Sequence, residues 1–435
     1  MSLADTLELT ILDHRPMEIS SAWADEIVFP YYQGLSISNL AHTVIRLLEG
    51  KPPRDRWGSA PLDPRLWEPY WGDAKRIVLF ISDGLGWRLL QQIMAEDPIT
   101  AQVVADLTGH GTLTPITSIV PSTTAAALPT IWTGATPTAT GMIGTTLFLR
   151  ELNSLIDMLH YKPVNGGRFR SEVVEEWGLD LQSFVPVSTL GEELSTRRIP
   201  CYVLLEQHLF GSGLSRIMHR GVQHVVRHFS YSDLWIDLRD LLRATRRERC
   251  FINIYWGAVD GISHLYGTVT EQSITEIRRQ LTDLRDTLAA EGVGDGRTLF
   301  MFAADHGHIP VADYINLADH APLMDAMRCG MGGEGRLAYA YLRCDYRQAV
   351  LDYLGQHFAD RIIGLLPGDA IQAGLFGPVS AGLHPETAAR LGDIVFVARQ
   401  SVHVGDRAQR PNPVMSRHGG LSEREMLVPL MMRMM

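Results

Sequence analysis

Three short apolar runs in this chain each end on an aspartate: RIVLFIS before Asp83, CFINIYWGAV before Asp260, and RTLFMFAA before Asp305. Runs this short and this continuous predict strands buried on both faces, because a strand with one wet face would alternate apolar and polar residues. Helical segments separate them. WRLLQQIMAE follows Asp83, and TEIRRQLTDLRDTLAAEG lies between Asp260 and Asp305. Buried strands joined through helices form a mostly parallel sheet, which predicts an α/β three-layer sandwich. Ligands gather at the carboxyl ends of such strands, so three carboxylates are delivered to one edge.

A chain of 435 residues has room for one large core and an inserted subdomain. Its 46% apolar and 20% charged residues are those of a chain that folds rather than one that stays disordered. We divide it into an N-terminal extension (1–73), a core (74–310 and 416–435) and an inserted cap subdomain (311–415). A net charge of −10 argues against a nonspecific nucleic-acid binder, and an anionic ligand then needs cations to hold it. The Arg-rich RATRRERC reads as a solvated helix face. The four cysteines form no C-x-x-C pair, which excludes a cysteine zinc cluster and a disulfide framework. The first residues lack a basic stretch followed by an apolar one, and no uncharged apolar run reaches the roughly 18 residues of a membrane span. The expectation is a cytoplasmic protein with no membrane partner.

Five segments carry chemistry. In AVDGISH, the spacing of Asp260 and His264 puts both side chains on one face of a helical turn, where they can share an ion. In FAADHGH, Asp305 and His306 are neighbours, and both reach one ion only if the chain bends, as Gly307 permits. His308 reads as a supporting or structural group. Asp83 closes a strand in SDGLG, and Leu89 stands where a dinucleotide fingerprint needs its third glycine, so a ligand role fits Asp83 better. In SRHGG, His418 sits in a loop where backbone can approach an ion closely. In PSTTAAALPTIWTG, Thr124 opens a run of small residues that can start a helix, whose free N–H groups favour an anion. Singly, each segment has an ordinary alternative, such as a helix cap at Ser122, Thr123 or Thr124, or a surface Asp/His contact.

Taken in order, these segments resemble the alkaline phosphatase superfamily, most closely its type I phosphodiesterase/nucleotide pyrophosphatase branch. The resemblance implies a two-metal hydrolase that cleaves phosphodiester or nucleotide pyrophosphate bonds through a covalent intermediate on a threonine. Carried over by motif, Asp83, Thr124, Asp305 and His306 hold one divalent ion, and Asp260, His264 and His418 the other. The ions are Zn²⁺ by family habit and ligand type, with Mn²⁺ or Fe as substitutes. Thr124 is the nucleophile because it precedes Gly134 of the T-G-x-x-P element by ten residues, with Pro137 and Gly141 in the family's places. The implied partner is a small phosphate ester, with no nucleic-acid polymer.

Two departures bear on substrate. Ala127 stands where related phosphodiesterases often carry an Asn that contacts a phosphoryl oxygen, and Thr140 where they often have His. A phosphomonoesterase or a phosphonate hydrolase of the same superfamily therefore stays open, as does a non-catalytic binder of a phosphorylated ligand. A sulfatase is excluded by the lack of a C-x-P-x-R element. A cofactor-independent phosphoglycerate mutase fits poorly, since its nucleophile is normally Ser. The substrate pocket is expected to draw on LFLRELNSLIDMLHY and the insertion.

Overall fold

The three aspartate-ended runs lie side by side. In the computed structural model, which describes residues 1–16, 23–49, 60–109, 111–164, 173–406 and 414–435, Arg76–Ser82 pairs in parallel with Cys250–Trp256 on one side and Thr298–Ala303 on the other. Residues 50–59 of the extension and 407–413 of the insertion lie outside the described residues. The sheet continues through Cys201–Glu206 to His224–His228 at one edge. At the other end Leu427–Met434 runs antiparallel between Thr298–Ala303 and Thr112–Thr117. The result is a seven-stranded, mostly parallel central sheet in an α/β fold.

Every residue of Arg76–Ser82 and of Thr298–Ala303 is buried, so both faces of the sheet are covered, as their unbroken apolar pattern requires. One covering helix, Glu271–Ala289, buries Ile277, Leu281 and Leu284 at helical spacing and starts from Thr270, whose side chain accepts the Ser273 N–H. His224 and His228, four apart, lie on the edge strand and not on a helix. Among the described residues no helix is long and apolar enough to cross a membrane.

A second seven-stranded sheet is antiparallel throughout. Four of its strands (Ile362–Leu365, Ile394–Ala398, Leu337–Ala340, Gly332–Gly333) come from residues 311–415, and three (Thr146–Leu149, Ser154–Asp157, Lys162–Pro163) from the chain after the Thr124 helix. Residues of the first 73 pack into the same hydrophobic core as the central sheet. Their first helix, Leu3–Leu12, buries Leu7 and Ile11. From that helix Glu8 accepts the Trp87 indole N–H at 2.8 Å and pairs with Arg88 at 2.6 Å, while Arg88 also reaches Glu423 at 2.7 Å. The Val28 N–H also donates to Leu421 O at 2.7 Å, so the first 73 residues touch the chain that follows both Asp83 and His418.

Candidate metal centre

Most of the proposed ligands sit a few residues past a strand end. Asp83 and Asp305 follow Arg76–Ser82 and Thr298–Ala303, and Asp260 lies in the first turn of helix Ala258–Tyr266, just after Cys250–Trp256. His264 is one helical turn further on, as its spacing predicts. Thr124 begins helix Thr124–Thr133, which contains Pro129 without a break. No side chain caps this helix. Ser122 Oγ donates instead to Gly420 O, and the Thr123 hydroxyl meets that of Thr145 at 3.1 Å, which leaves Thr124 Oγ1 free to face the strand ends.

Glycines make the close approach possible. Gly84 has φ +77°, and a Cβ there would lie 2.9 Å from both the Asp260 Cα and His308 Nε2. Gly307 serves by size rather than by conformation: a Cβ on it would lie 2.1 Å from the Arg424 carbonyl oxygen and 2.7 Å from the Gly86 Cα.

Around Thr124, Oγ1 lies 3.4 Å from each Asp83 oxygen and 3.1 Å from His306 Nε2. His306 Nε2 is 3.2 Å from Asp83 Oδ1 and 3.6 Å from Asp305 Oδ2. Asp305 Oδ1 accepts the N–H groups of Gly84 and His306, at 3.2 and 3.0 Å, but its Oδ2 is buried with no hydrogen-bond donor. Around the second position, Asp260 Oδ1 faces three imidazoles: His308 Nε2 at 2.8 Å, His264 Nε2 at 3.3 Å and His418 Nε2 at 3.5 Å. His306 joins the two positions, its ring stacked on that of His418 at 3.9 Å. The structure brings all seven candidate residues into this one cluster, and adds His308 closer to Asp260 than either His264 or His418.

The hydrogen bonds behind the rings define the tautomers. The Nδ1 atoms of His264, His306 and His418 face the carbonyl oxygens of Ser416 (2.8 Å), Gly307 (3.2 Å) and Ser122 (3.2 Å). A carbonyl oxygen only accepts, so each Nδ1 must carry the proton, and each Nε2 then presents a lone pair toward the carboxylates when the ring is neutral. Lone pairs of three imidazoles and three carboxylates converge, and one buried carboxylate oxygen has no donor. That set fits a divalent cation of borderline softness, held by ligands that their outer neighbours orient.

The same crowding perturbs the acids and bases. Burial alone would lower the His306 pKa, but the Asp305 and Asp83 carboxylates outweigh it and hold the ring at about 10. Burial and the Asp83 charge push the Asp305 carboxyl well above its ordinary range. At Asp260 burial is outweighed by the hydrogen bonds from His264 and His308, which hold it well below that range. Burial and the charge at His306 keep His418 neutral. Without an ion, then, protons partly take its place among these charges.

A cavity of about 930 Å³ opens beside Asp83 and Thr124. Leu128 and Trp132, at helical spacing from Thr124, line it together with Asn253, Tyr255, Leu205 and Phe210. From the segment expected to line it, Leu159 and His160 do so, but no described residue of 311–415 does. The second contribution comes instead from residues 203–219. Tyr255 was not anticipated. Its hydroxyl donates to Asp83 Oδ2, and the period-two polar pattern Asn253, Tyr255 at the end of an apolar strand is the signal that marks it.

Comparison with known proteins agrees with this geometry. Residues 77–421 match the family described as type I phosphodiesterase/nucleotide pyrophosphatase. No curated protein matches the sequence closely enough to be called a relative. Among solved structures, murine ectonucleotide pyrophosphatase/phosphodiesterase 5 is similar with a TM-score of 0.59 at 14% identity, over 82% of this chain and 87% of that one. The human protein of the same name gives 0.58 at 14%, over the same shares of each chain. Phosphonoacetate hydrolase from Sinorhizobium meliloti gives 0.57 at 17%, over 82% of this chain and 90% of that one. These likenesses concern the fold. The match over most of the chain, with an Asp/His cluster at the strand ends, shows that this chain is a hydrolase belonging to the type I phosphodiesterase/nucleotide pyrophosphatase family.

Proposed function

We propose that the enzyme cleaves phosphodiester or nucleotide pyrophosphate bonds through a covalent phosphoryl or nucleotidyl intermediate on Thr124, with two divalent ions held by Asp83, Thr124, Asp305 and His306 and by Asp260, His264 and His418. The observation that carries this reading is the Thr124 hydroxyl, poised between Asp83 and His306 at a helix N-terminus beside a large cavity. Bound there, Zn²⁺, or Mn²⁺ or Fe in its place, supplies Lewis-acid charge that eases ionisation of the hydroxyl and offsets charge building on phosphorus.

The chain's own groups do the rest. The Ala126 and Ala127 N–H groups are taken by the Thr123 carbonyl, at 3.0 and 2.8 Å, so the Thr124 and Ala125 N–H groups at the helix start are the ones left to hold phosphoryl oxygens. They offset the missing Asn at position 127. In the first step the Thr124 hydroxyl gives its proton to solvent water and the Oγ–P bond forms as the ester O–P bond breaks, the leaving oxygen taking up a proton from water. In the second, water displaces Oγ from phosphorus and restores the hydroxyl.

A phosphonate substrate is the second reading. It is favoured by the likeness to phosphonoacetate hydrolase, solved with phosphonoformate and phosphonoacetate, as the diester reading is by an inactive murine pyrophosphatase/phosphodiesterase solved with AMP. The cavity weighs toward the larger substrate, since 930 Å³ far exceeds what a two-carbon phosphonate fills. We place the enzyme in the cytoplasm, consistent with four unpaired cysteines, and read 311–415 as a cap subdomain.

The test is hydrolysis of bis-p-nitrophenyl phosphate, p-nitrophenyl phosphate and phosphonoacetate by metal-reconstituted protein, with Thr124→Ala alongside. Diester cleavage that is fastest and lost in the variant supports the proposal. A monoester or phosphonate preference keeps the mechanism and replaces the substrate, whereas turnover that survives Thr124→Ala removes the covalent step.

A further inference from the structure

Glu334 and Arg336 sit in the turn between Gly332–Gly333 and Leu337–Ala340, at one end of the second sheet. Arg336 is 1% exposed and Glu425 fully buried, and the guanidinium meets the carboxylate as a fork, Nε to Oε1 and Nη2 to Oε2, each at 3.0 Å. Glu425 is filled from its other side as well. Oε1 accepts the Gly420 N–H at 2.8 Å, and Oε2 accepts the Ser422 hydroxyl at 2.6 Å. Gly420 lies two residues beyond His418, so a single carboxylate spans the second sheet and the His418 loop.

The loop has little room to settle elsewhere. A Cβ on Gly420 would lie 2.8 Å from Glu425 Oε1, and one on Gly419, at φ +107°, would lie 2.7 Å from the Glu334 Cβ. On the opposite flank Ser122 Oγ accepts the Gly419 N–H at 3.2 Å and donates to Gly420 O at 2.8 Å, while Ser122 O receives His418 Nδ1–H. Glu334 Oε1 also accepts the Thr145 N–H at 2.8 Å, next to the Thr123–Thr145 contact beside the nucleophile.

A buried ion pair is a poor device for stability, because desolvating both charges takes back most of what they gain from each other. An apolar pair of the same volume packs as well. What it cannot do is fix direction, which the planar fork of an arginine does.

We propose that Arg336 is a positioning residue: through Glu425 it sets the Gly419–Gly420 backbone and thereby aims His418 Nε2 at Asp260. This rests on the two-ion reading above. It gives the second sheet a share in assembling the metal centre.

The test titrates metal-free wild type, Arg336→Met, Arg336→Lys and His418→Ala with Zn²⁺ against a chelating indicator. The equivalent weakened in His418→Ala identifies the Asp260 position. Arg336→Met is expected to weaken that equivalent about 10- to 100-fold, the usual effect of removing a group that orients a ligand, and to leave the other within about threefold. Arg336→Lys, which keeps the charge but not the fork, should fall between. Both equivalents unchanged in a folded Met variant, or both weakened alike, overturns the inference. If the Met variant does not fold, an unchanged Asp260 equivalent in the Lys variant overturns it. A wild-type chain that takes up fewer than two ions overturns the two-ion reading and this inference with it, whereas two ions in the wild type with an unaffected Arg336 variant overturns this inference alone.

Discussion

Replacing Tyr255 by Phe removes one hydroxyl from the metal centre and keeps the shape of the ring. That hydroxyl is the donor to Asp83 Oδ2, while Asp83 Oδ1 faces His306 Nε2 at 3.2 Å. The other nearby donor, Thr124 Oγ1, is 3.4 Å from both oxygens and does not replace it. Burial and the Asp83 and Asp305 charges push the phenol far above its ordinary pKa, so it donates at every working pH. A hydrogen bond to a charged group is worth about 1.5–3 kcal/mol, which corresponds to roughly 10- to 100-fold. The expected outcome is a loss of that size in affinity for the ion at Asp83, read by chelator competition. Most of kcat/KM should return at saturating metal, because the Phe variant keeps the nucleophile and all seven proposed ligands. A Phe variant within about twofold of wild type in metal affinity would refute the claim that this hydroxyl orients Asp83.

Three further outcomes follow from the structure. Adding Zn²⁺ to metal-free protein at pH 7 should release protons, since His306 holds one up to about pH 10 and must give it up for Nε2 to bind; an indicator dye in weak buffer reads the release, and affinity should rise with pH. Gly307→Ala should cost more than about 2 kcal/mol of stability in chelator-treated protein, by thermal melting, because its Cβ would meet the Arg424 carbonyl oxygen at 2.1 Å and that backbone cannot yield cheaply. Acid should destabilise the metal-free fold: burial pushes His219 down to about 4 and His403 to about 3. The unfolded chain takes up these protons near pH 6.5, so the stabilisation is whole above about 6.5 and is lost as pH falls toward 4. For His219 alone it amounts to up to about 3 kcal/mol, checked by urea unfolding at pH 7 and pH 5.

The central sheet could be read from the chain because its strands are buried on both faces and announce themselves as unbroken apolar runs. The second sheet could not. Gly332–Gly333 and Lys162–Pro163 are two-residue strands with no periodicity, and Gly333 pairs with Thr146 across more than 180 residues. Asp83, Asp260, Asp305, His306 and His418 were legible because each stands close behind a strand or beside a glycine, a local signature, whereas Thr124 and His264 were legible from spacing within their segments. Arg336 was not, since nothing near it in sequence points to Glu425, 89 residues away. His308 was seen but undervalued, because the bend that turns it toward Asp260 depends on packing of Gly307 against Gly86, which a sequence does not display.

The one antiparallel strand of the central sheet also governs how the chain is made. Leu427–Met434 fills the slot between Thr298–Ala303 and Thr112–Thr117, so the latter waits more than 300 residues for its neighbour. At ordinary synthesis rates that wait is tens of seconds, during which the inner edge of Thr112–Thr117, and after its own synthesis that of Thr298–Ala303, lacks a partner. The sheet and the His418 loop that precedes its last strand are completed together, late and at long range. A ribosome that stalls before Leu427 leaves an open, adhesive half-sheet, and such chains are natural clients for chaperones.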